Sequence, residues 1–359
     1  MVITSLTRNQ VAFTGSRVRI PLAPPNGCNM TKRFNNLSVY RIIAAICILQ
    51  FHIFYILYNR LIPYETLLSK AVQGLMALSG FLYATRQIDD VKSFYKKRFI
   101  RILIPALICI VIMALWDLIY MFITKNYDYI SLSFSKRALG GGLLFQPANY
   151  YFLAYILICY LITPLLKKNN LFKYGFLLLS IVLELLLAYF FGISITGVCY
   201  IVGYLIGEKT FNRYTSNEEK SLPDMFLYLG LTILLLVGFY FTHEYLQPHV
   251  KTLVKLKKVL EIVISSAFGV TSFFFIILIF KWLNRYQIVT MKFTDELTYY
   301  IYLFNQAFMI GAMNVSLYSN NMFIKYLLIY GFTISFAVIA LLINRLIKRN
   351  KSTNAVHSV

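Results

Sequence analysis

Residues 37–58 read LSVYRIIAAICILQFHIFYILY, an apolar run that one arginine and one histidine interrupt. A helix needs about 20 mostly apolar residues to cross a bilayer, and this run has that length. An ionisable side chain inside such a helix costs about 2.5–3.5 kcal/mol on insertion, so Arg41 and His52 each need a physical reason to be there. The run therefore predicts a membrane-spanning helix that carries two candidate functional residues.

The composition extends this interpretation to the whole chain. Of the 359 residues, 59% are hydrophobic and only 14% are charged, and the mean hydropathy is +0.66. Soluble domains are about 45–50% apolar, and so few charges do not cover the surface of a soluble protein of this size. We predict an all-α, polytopic membrane protein with ten spans. The predicted spans cover residues 37–58, 66–85, 100–123, 149–166, 171–190, 192–208, 224–242, 259–282, 295–315 and 322–345.

The net charge of +21 raises the question of nucleic-acid binding. The basic residues lie in short runs between apolar stretches, for example Lys96-Lys97-Arg98 and Lys167-Lys168, and do not form a solvated patch. Most fall in loops that are cytoplasmic if the N-terminus is inside, apart from a cluster at 251–258. We therefore expect both termini in the cytoplasm, a multi-pass protein of the plasma membrane, the lipid bilayer as a partner, and no nucleic-acid partner.

The first 29 residues contain no apolar run of signal-peptide length. Residues 15–25 back-translate as the 3′ end of a transfer-RNA gene, so we expect translation to start at Met30, with a disordered tail as the alternative. Detection of a peptide upstream of Met30 would refute this start site. The expected organisation is a leader at 1–29, a membrane domain at 30–350 and a cytoplasmic tail at 351–359.

Arg41 and His52 are eleven residues apart on the first predicted helix. Eleven steps of about 100° come to about 20° more than three full turns, so both side chains project from the same face with a rise of about 16 Å between them. Taken singly, the histidine fits a packing role and the arginine fits a side chain that extends to the headgroups. The shared face favours a common function as the competing interpretation.

Three other features carry possible chemistry. Arg98 and Arg101 are three residues apart at a predicted cytoplasmic boundary, where two guanidinium groups suit either phosphate binding or a positive-inside anchor. The Ser79-Gly80 pair suits close helix packing or substrate approach to the backbone. Glu184 lies within a span, where structural and functional roles are equally open. No cysteine and histidine cluster indicates a metal site.

These signals together resemble acyltransferase family 3, whose members O-acylate cell-surface and exopolysaccharide sugars. The resemblance rests, in chain order, on Arg41-(ten residues)-His52, Ser79-Gly80-Phe81, Arg98-x-x-Arg101 with Pro105, and the segment Asn149-Tyr150-Tyr151-Phe152-Leu153 through Tyr160-Leu161-Ile162-Thr163-Pro164. One departure concerns the ninth span, where the family often has Tyr-Leu-x-His and this chain has Tyr302-Leu303-Phe304-Asn305. An asparagine forms hydrogen bonds but transfers no proton at neutral pH.

The resemblance implies a membrane O-acyltransferase that uses acetyl-CoA or another acyl-CoA as its donor and a sugar or glycan hydroxyl, lipid-linked or free, as its acceptor. His52 is then the general base or the transient acyl carrier, and Arg41 orients the donor or stabilises the oxyanion. The implied donor contacts are Arg98, Arg101, Ser79 and Gly80. The implied acceptor contacts are Asn149, Tyr150, Tyr151, Glu184 and Asn305.

Two other functions fit a chain of this composition. A transporter or export component also needs intramembrane charge, although the sequence shows no paired, interrupted helices in two inverted halves. A scaffold without chemistry leaves Arg41, His52 and the two arginines at 98 and 101 unexplained together.

Overall fold

The computed structural model describes most of the chain from Asn35 onward. The described residues are 35–58, 63–125, 151–191, 194, 196–215, 221–246, 251–283, 292–309 and 314–357. The described residues form one compact unit. The predicted leader at 1–29, and with it the start site, lies outside the described residues, as do Asn149 and Tyr150.

Every regular element among the described residues is helical, which confirms the predicted all-α, polytopic fold. The helices are α1 Asn35–Tyr58, α2 Pro63–Ser69, α3 Ala71–Ala84, α4 Val91–Thr124, α5 Tyr151–Lys168, α6 Asn170–Phe191, α7 Gly197–Thr215, α8 Leu222–Glu244, α9 Lys251–Leu283, α10 Lys292–Phe304 and α11 Met322–His357, with a 3₁₀ helix at Val315–Tyr318 before α11.

Seven helical segments among the described residues are long and apolar enough to cross a membrane. They are Asn36–Tyr55, Thr66–Ala84, Val91–Thr124, Asn170–Phe191, Leu222–Glu244, Leu253–Leu283 and Met322–Arg349. The fourth and sixth predicted spans coincide with α5 and α7, which are helical but fall below this limit. The count of ten and the orientation remain predictions.

The ninth predicted span is wrong as a continuous helix. The expected segment was 295–315, whereas α10 ends at Phe304 and Asn305–Met309 form turns. Two hydrogen bonds in these turns each span three residues. Ala307 N–H donates to Phe304 O at 3.0 Å, and Met309 N–H donates to Gln306 O at 3.1 Å. Such tighter bonds replace the helical pattern and end the α-helix.

The outward faces of the long helices are apolar. On α4, the side chains of Leu107, Val111, Leu115 and Phe122 are all exposed. A soluble protein covers its helices with polar groups on the outer side, whereas lipid requires apolar ones. The surface therefore matches that of an integral membrane protein.

The closest helix packing joins α3 to α7. A Cβ atom at Gly80 would overlap the carbonyl oxygen of Tyr200, and one at Gly203 would overlap the carbonyl oxygen of Ala77. Small residues let membrane helices approach backbone to backbone, and the gain in dispersion contacts holds the pair together. This contact positions Phe81, fully buried, in the centre of an aromatic cluster with Phe273 and Phe274 of α9.

Helix α1 is half buried against the bundle and is tied to it at its start. The side-chain amide of Asn36 donates to the carbonyl oxygens of Tyr214 and Ile277, at 3.3 and 3.2 Å. Tyr40 is buried with its ring edge-on to Phe273. These contacts fix the rotation of α1 and therefore the direction in which Arg41 and His52 project.

Candidate active site

Helices α1 and α10 run parallel, and two side-chain pairs hold them in register. Arg41 contacts Asp295, and His52 contacts Gln306, which follows the end of α10. Both pairs have the same sequence separation of 254 residues. The partners follow in the same order along both segments, so the two segments run in the same direction. The face of α1 that carries both Arg41 and His52 is therefore the face that packs against α10.

Arg41 forms a salt bridge with Asp295. Its Nη1 atom donates to both carboxylate oxygens, at 2.7 and 2.8 Å. Asp295 lies in the first turn of α10, where the helix dipole also favours a negative charge. The pair compensates a charge that would otherwise be costly at this depth. Sequence analysis missed Asp295, although an intramembrane arginine implies a nearby acid.

His52 is buried and turned toward α10 and away from the lipid-facing surface, with 8% of its surface exposed. Its Nδ1 atom lies 2.9 Å from the side-chain nitrogen of Gln306, which is itself 7% exposed. The ring also packs edge-on against Phe51. Sequence analysis missed Gln306 as well; its only signal is a polar side chain next to Asn305 inside an apolar run.

The end of α10 places irregular backbone beside the histidine. Asn305 to Met309 are all buried, and Asn305 is 1% exposed. Non-helical backbone at membrane depth is tolerated where it is buried in protein or lines a water-filled cavity, because lipid offers no hydrogen-bond partners. The interruption therefore brings polar backbone and the Asn305 and Gln306 side chains to the level of His52.

Arg98 and Arg101 have different surroundings. Arg98 is 9% exposed and its guanidinium stacks on the ring of Tyr83, 4.8 Å from the ring centroid, whereas Arg101 is exposed. Arg98 Nε has no hydrogen-bond partner among the described residues. Two further cations lie at the same end of α3: Arg86 faces Tyr83 at 6.0 Å, and Lys167 donates to Ala84 O at 3.1 Å.

A tyrosine connects the helix of these arginines to α10. The Tyr299 hydroxyl donates to the carbonyl oxygen of Ile102, the residue after Arg101, at 3.0 Å. Since Tyr299 lies between Asp295 and Gln306 along the chain, α4 and α1 both contact the same segment. The structure thus joins both predicted arginine-containing motifs through α10.

Ser79 and Gly80 are occupied by helix packing. The Ser79 hydroxyl donates to Leu75 O in its own helix, at 2.9 Å, and Gly80 faces the Tyr200 backbone. Of the two roles open to this pair from sequence, the structure shows the packing one. Phe81, the third residue of that motif, is part of the core.

Glu184 lies in the last third of α6 and is buried. Its Oε1 atom accepts a hydrogen bond from the Ser194 hydroxyl at 2.7 Å, and Lys70 lies within electrostatic range. Its Oε2 atom has no hydrogen-bond partner among the described residues. The structure does not place Glu184 in the contact between α1 and α10. Tyr151 is the first residue of α5, and the structure does not describe its side chain.

A family model described as an acyltransferase domain matches residues 34–342. The chain belongs to acyltransferase family 3. The matched range begins just before α1 and ends inside α11, so it contains every pair described above. No curated protein and no solved structure gives a significant match. The family membership makes this protein a membrane acyltransferase.

For a family 3 acyltransferase, the arrangement concentrates reactive groups in one region of the bundle. An imidazole, two side-chain amides and a compensated ion pair lie along one contact between α1 and α10. A cluster of cations lies at the end of α3, at the boundary predicted to be cytoplasmic. Proton transfer suits the first group, and anion binding suits the second.

Proposed function

We propose that this protein is an O-acyltransferase, acetyl-CoA being the expected donor, that transfers an acyl group to a hydroxyl of a cell-surface or exopolysaccharide sugar at the plasma membrane. The observation that carries the proposal is the position of His52. It is buried, faces α10 and lies at the interruption of the ninth span. A histidine in lipid contact, or sealed in a purely apolar core, would offer no route to a substrate.

The donor end of the proposal rests on the cations around Tyr83. Arg98 and Arg101 would hold the phosphates of acyl-CoA, and Arg86 and Lys167 add positive charge nearby. The unpartnered Nε of Arg98 supports this assignment, since a buried donor without an acceptor is costly and an anion supplies one. The stacked ring keeps the guanidinium in one orientation.

The chemical step is proton transfer coupled to acyl transfer. His52 takes the proton of the sugar hydroxyl as that oxygen attacks the thioester carbon, and the same proton then passes to the sulfur as the C–S bond breaks. In the alternative covalent route, the imidazole nitrogen attacks the thioester first, and the thiolate leaves with the proton of the other ring nitrogen. The sugar oxygen then takes the acyl group from nitrogen, and the hydroxyl proton returns to the ring. Labelled acetyl trapped on the protein without acceptor would favour the covalent route.

Arg41 would orient the donor through the guanidinium nitrogens that do not face Asp295, since only Nη1 contacts the carboxylate. The helical rise of about 16 Å between Arg41 and His52 favours this role over stabilisation of the oxyanion that forms beside His52. Asn305, buried beside Gln306, is the acceptor contact that lies closest along the chain to this chemistry. Asn149, Tyr150, Tyr151 and Glu184 are proposed as further acceptor contacts, toward the outer side of the membrane.

One observation favours a second candidate, a polysaccharide or small-molecule export component. Interrupted helices at membrane depth are also typical of transporters, where they form the substrate site. The family membership weighs against export as the primary activity.

One experiment separates the two functions. The gene is deleted and replaced with the wild type, His52→Ala or His243→Ala, and surface polysaccharide is analysed for alkali-released acetate and for total amount. We expect His52→Ala to abolish the released acetate with the polysaccharide amount unchanged. His243, half exposed at the end of α8 and paired with Glu261, is the matched control and should leave both quantities unchanged. Loss of polysaccharide with its acetate content retained would favour export.

A further inference from the structure

We propose that Gln306 is the positioning residue of His52. In the reacting form, its side-chain oxygen accepts a hydrogen bond from Nδ1–H of the ring, so that Nε2 faces the acceptor hydroxyl as the base. This inference rests on the proposed function, since it assigns a role within that reaction. It concerns a residue outside the motifs that identify the family in this sequence.

The geometry shows a dedicated contact. Both side chains are buried, and the ring nitrogen and the amide nitrogen are 2.9 Å apart, within the range of a good hydrogen bond. Gln306 lies in the turns after α10, so the interruption of the helix is what directs this side chain toward α1. A regular helix through residue 306 would give the backbone a different direction.

The hydrogen bond decides which ring nitrogen carries the proton. With the amide nitrogen donating to Nδ1, a neutral ring holds its proton on Nε2, and Nε2 then serves as a donor and not as a base. With the amide oxygen facing Nδ1, the ring proton is on Nδ1 and the Nε2 lone pair is available for chemistry. The imidazolium formed in the reaction has two N–H donors, so it requires the amide oxygen at this position.

The amide is able to supply either atom. Rotation by half a turn about its terminal bond exchanges oxygen and nitrogen at nearly the same place. Gln306 Oε1 has no hydrogen-bond partner among the described residues, so this rotation breaks no bond of the oxygen. An acceptor held behind a catalytic histidine generally sets the ring orientation and stabilises the imidazolium.

The test measures initial rates of acetyl transfer in membranes, from labelled acetyl-CoA to endogenous polysaccharide, over a range of acetyl-CoA concentrations. The variants are Gln306→Leu, Gln306→Asn and Gln306→Glu. We expect Leu and Asn to lower kcat by about 10- to 100-fold with the KM for acetyl-CoA nearly unchanged, because proton transfer contributes about 10²–10⁴-fold in such reactions. Asn keeps the amide but is one methylene too short to reach Nδ1.

Gln306→Glu distinguishes positioning from packing. A carboxylate reaches Nδ1 and accepts a hydrogen bond from its N–H, so we expect this variant to be the most active of the three. A role in packing alone predicts the reverse order, because a carboxylate is the least tolerated of the three side chains in a buried site. The matched control is Gln73→Leu, which removes a buried amide from α3 and should leave kcat within about twofold.

A double variant assigns the effect to His52. The labelled assay detects slower transfer than the chemical analysis of released acetate, so it measures the residual rate of His52→Ala; adding Gln306→Leu should lower that rate no further. The inference is overturned if Leu or Asn retains wild-type kcat, if Glu is the least active of the three, or if the effect persists in the His52→Ala background. Full activity of His52→Ala would instead overturn the proposed function, so the two failures are distinguishable. If the Gln306→Leu variant does not accumulate in membranes, the comparison of Gln306→Asn with Gln306→Glu decides between positioning and packing.

Discussion

Nη1 of Arg41 lies 2.7 and 2.8 Å from the two carboxylate oxygens of Asp295, which joins the first helix to the tenth across 254 residues of sequence. Removal of the acid would leave a guanidinium uncompensated within the membrane-spanning bundle. The two side chains keep 30% and 19% of their surface exposed, so the pair is only partly buried. Its contribution is accordingly below that of a fully buried pair.

For Asp295→Asn we expect a loss of about 1–3 kcal/mol of stability, since hydrogen bonds to charged groups contribute on that order. The measurement is the thermal unfolding midpoint of detergent-solubilised protein. Glu296→Gln is the control, because the neighbouring Glu296–Arg345 pair has more than a third of each side chain exposed and should contribute little. Equal effects of the two variants would contradict the assigned role of Asp295.

Gly80→Ala should destabilise the bundle strongly. The added methyl group overlaps the Tyr200 carbonyl oxygen. Because the overlap is with backbone and not with a side chain that could rotate away, α3 and α7 would have to move apart. Overpacking typically costs about 1–3 kcal/mol, and we expect reduced accumulation in membranes along with a lower unfolding midpoint. Gly230→Ala on α8, where nothing lies within 4 Å, is the control and should behave as wild type. A wild-type midpoint for Gly80→Ala would show that the helices are not in backbone contact.

Arg98→Lys should weaken donor binding while it leaves the chemical step intact. A lysine keeps the charge but loses the planar group that stacks on Tyr83 and offers several donors to phosphate. We expect KM for acetyl-CoA to rise about tenfold with kcat within about twofold, the pattern of lost ground-state binding. Tyr83→Phe keeps the ring and should leave KM near the wild-type value. A fall in kcat at unchanged KM would place Arg98 elsewhere in the reaction.

The predicted orientation is testable by labelling. If both termini are cytoplasmic, a cysteine at Lys258, exposed near the start of α9, reacts with a membrane-impermeant maleimide in intact cells. A cysteine at Lys209, exposed in the last turns of α7, should react only after permeabilisation. The parental chain sets the background: Cys109, Cys159 and Cys199 are buried, and any labelling of the partly exposed Cys47 is subtracted. The reverse pattern would invert the topology and place the arginines at 98 and 101 outside.

The sequence determined the class of the protein, because a run of about 20 mostly apolar residues has the length of a helix that crosses the bilayer. Helical geometry also placed Arg41 and His52 on one face, since that relationship depends only on a separation of eleven residues within one helix. The prediction of a continuous span at residues 295–315 was wrong, because the turns at Asn305–Met309 lie in an apolar segment. No proline or glycine precedes Met309 in that segment to mark the end of the helix.

Only the tertiary structure decided which residues contact the face of α1 that carries Arg41 and His52. Asp295 and Gln306 are distant in sequence, and their register against α1 depends on how α3, α9 and α10 pack around it. The same packing turned Arg98 onto Tyr83 while it left Arg101 exposed, although the two share a helical face in sequence. Local spacing fixes where a side chain leaves its own helix, and its partner is set by long-range contacts that no single stretch of sequence encodes.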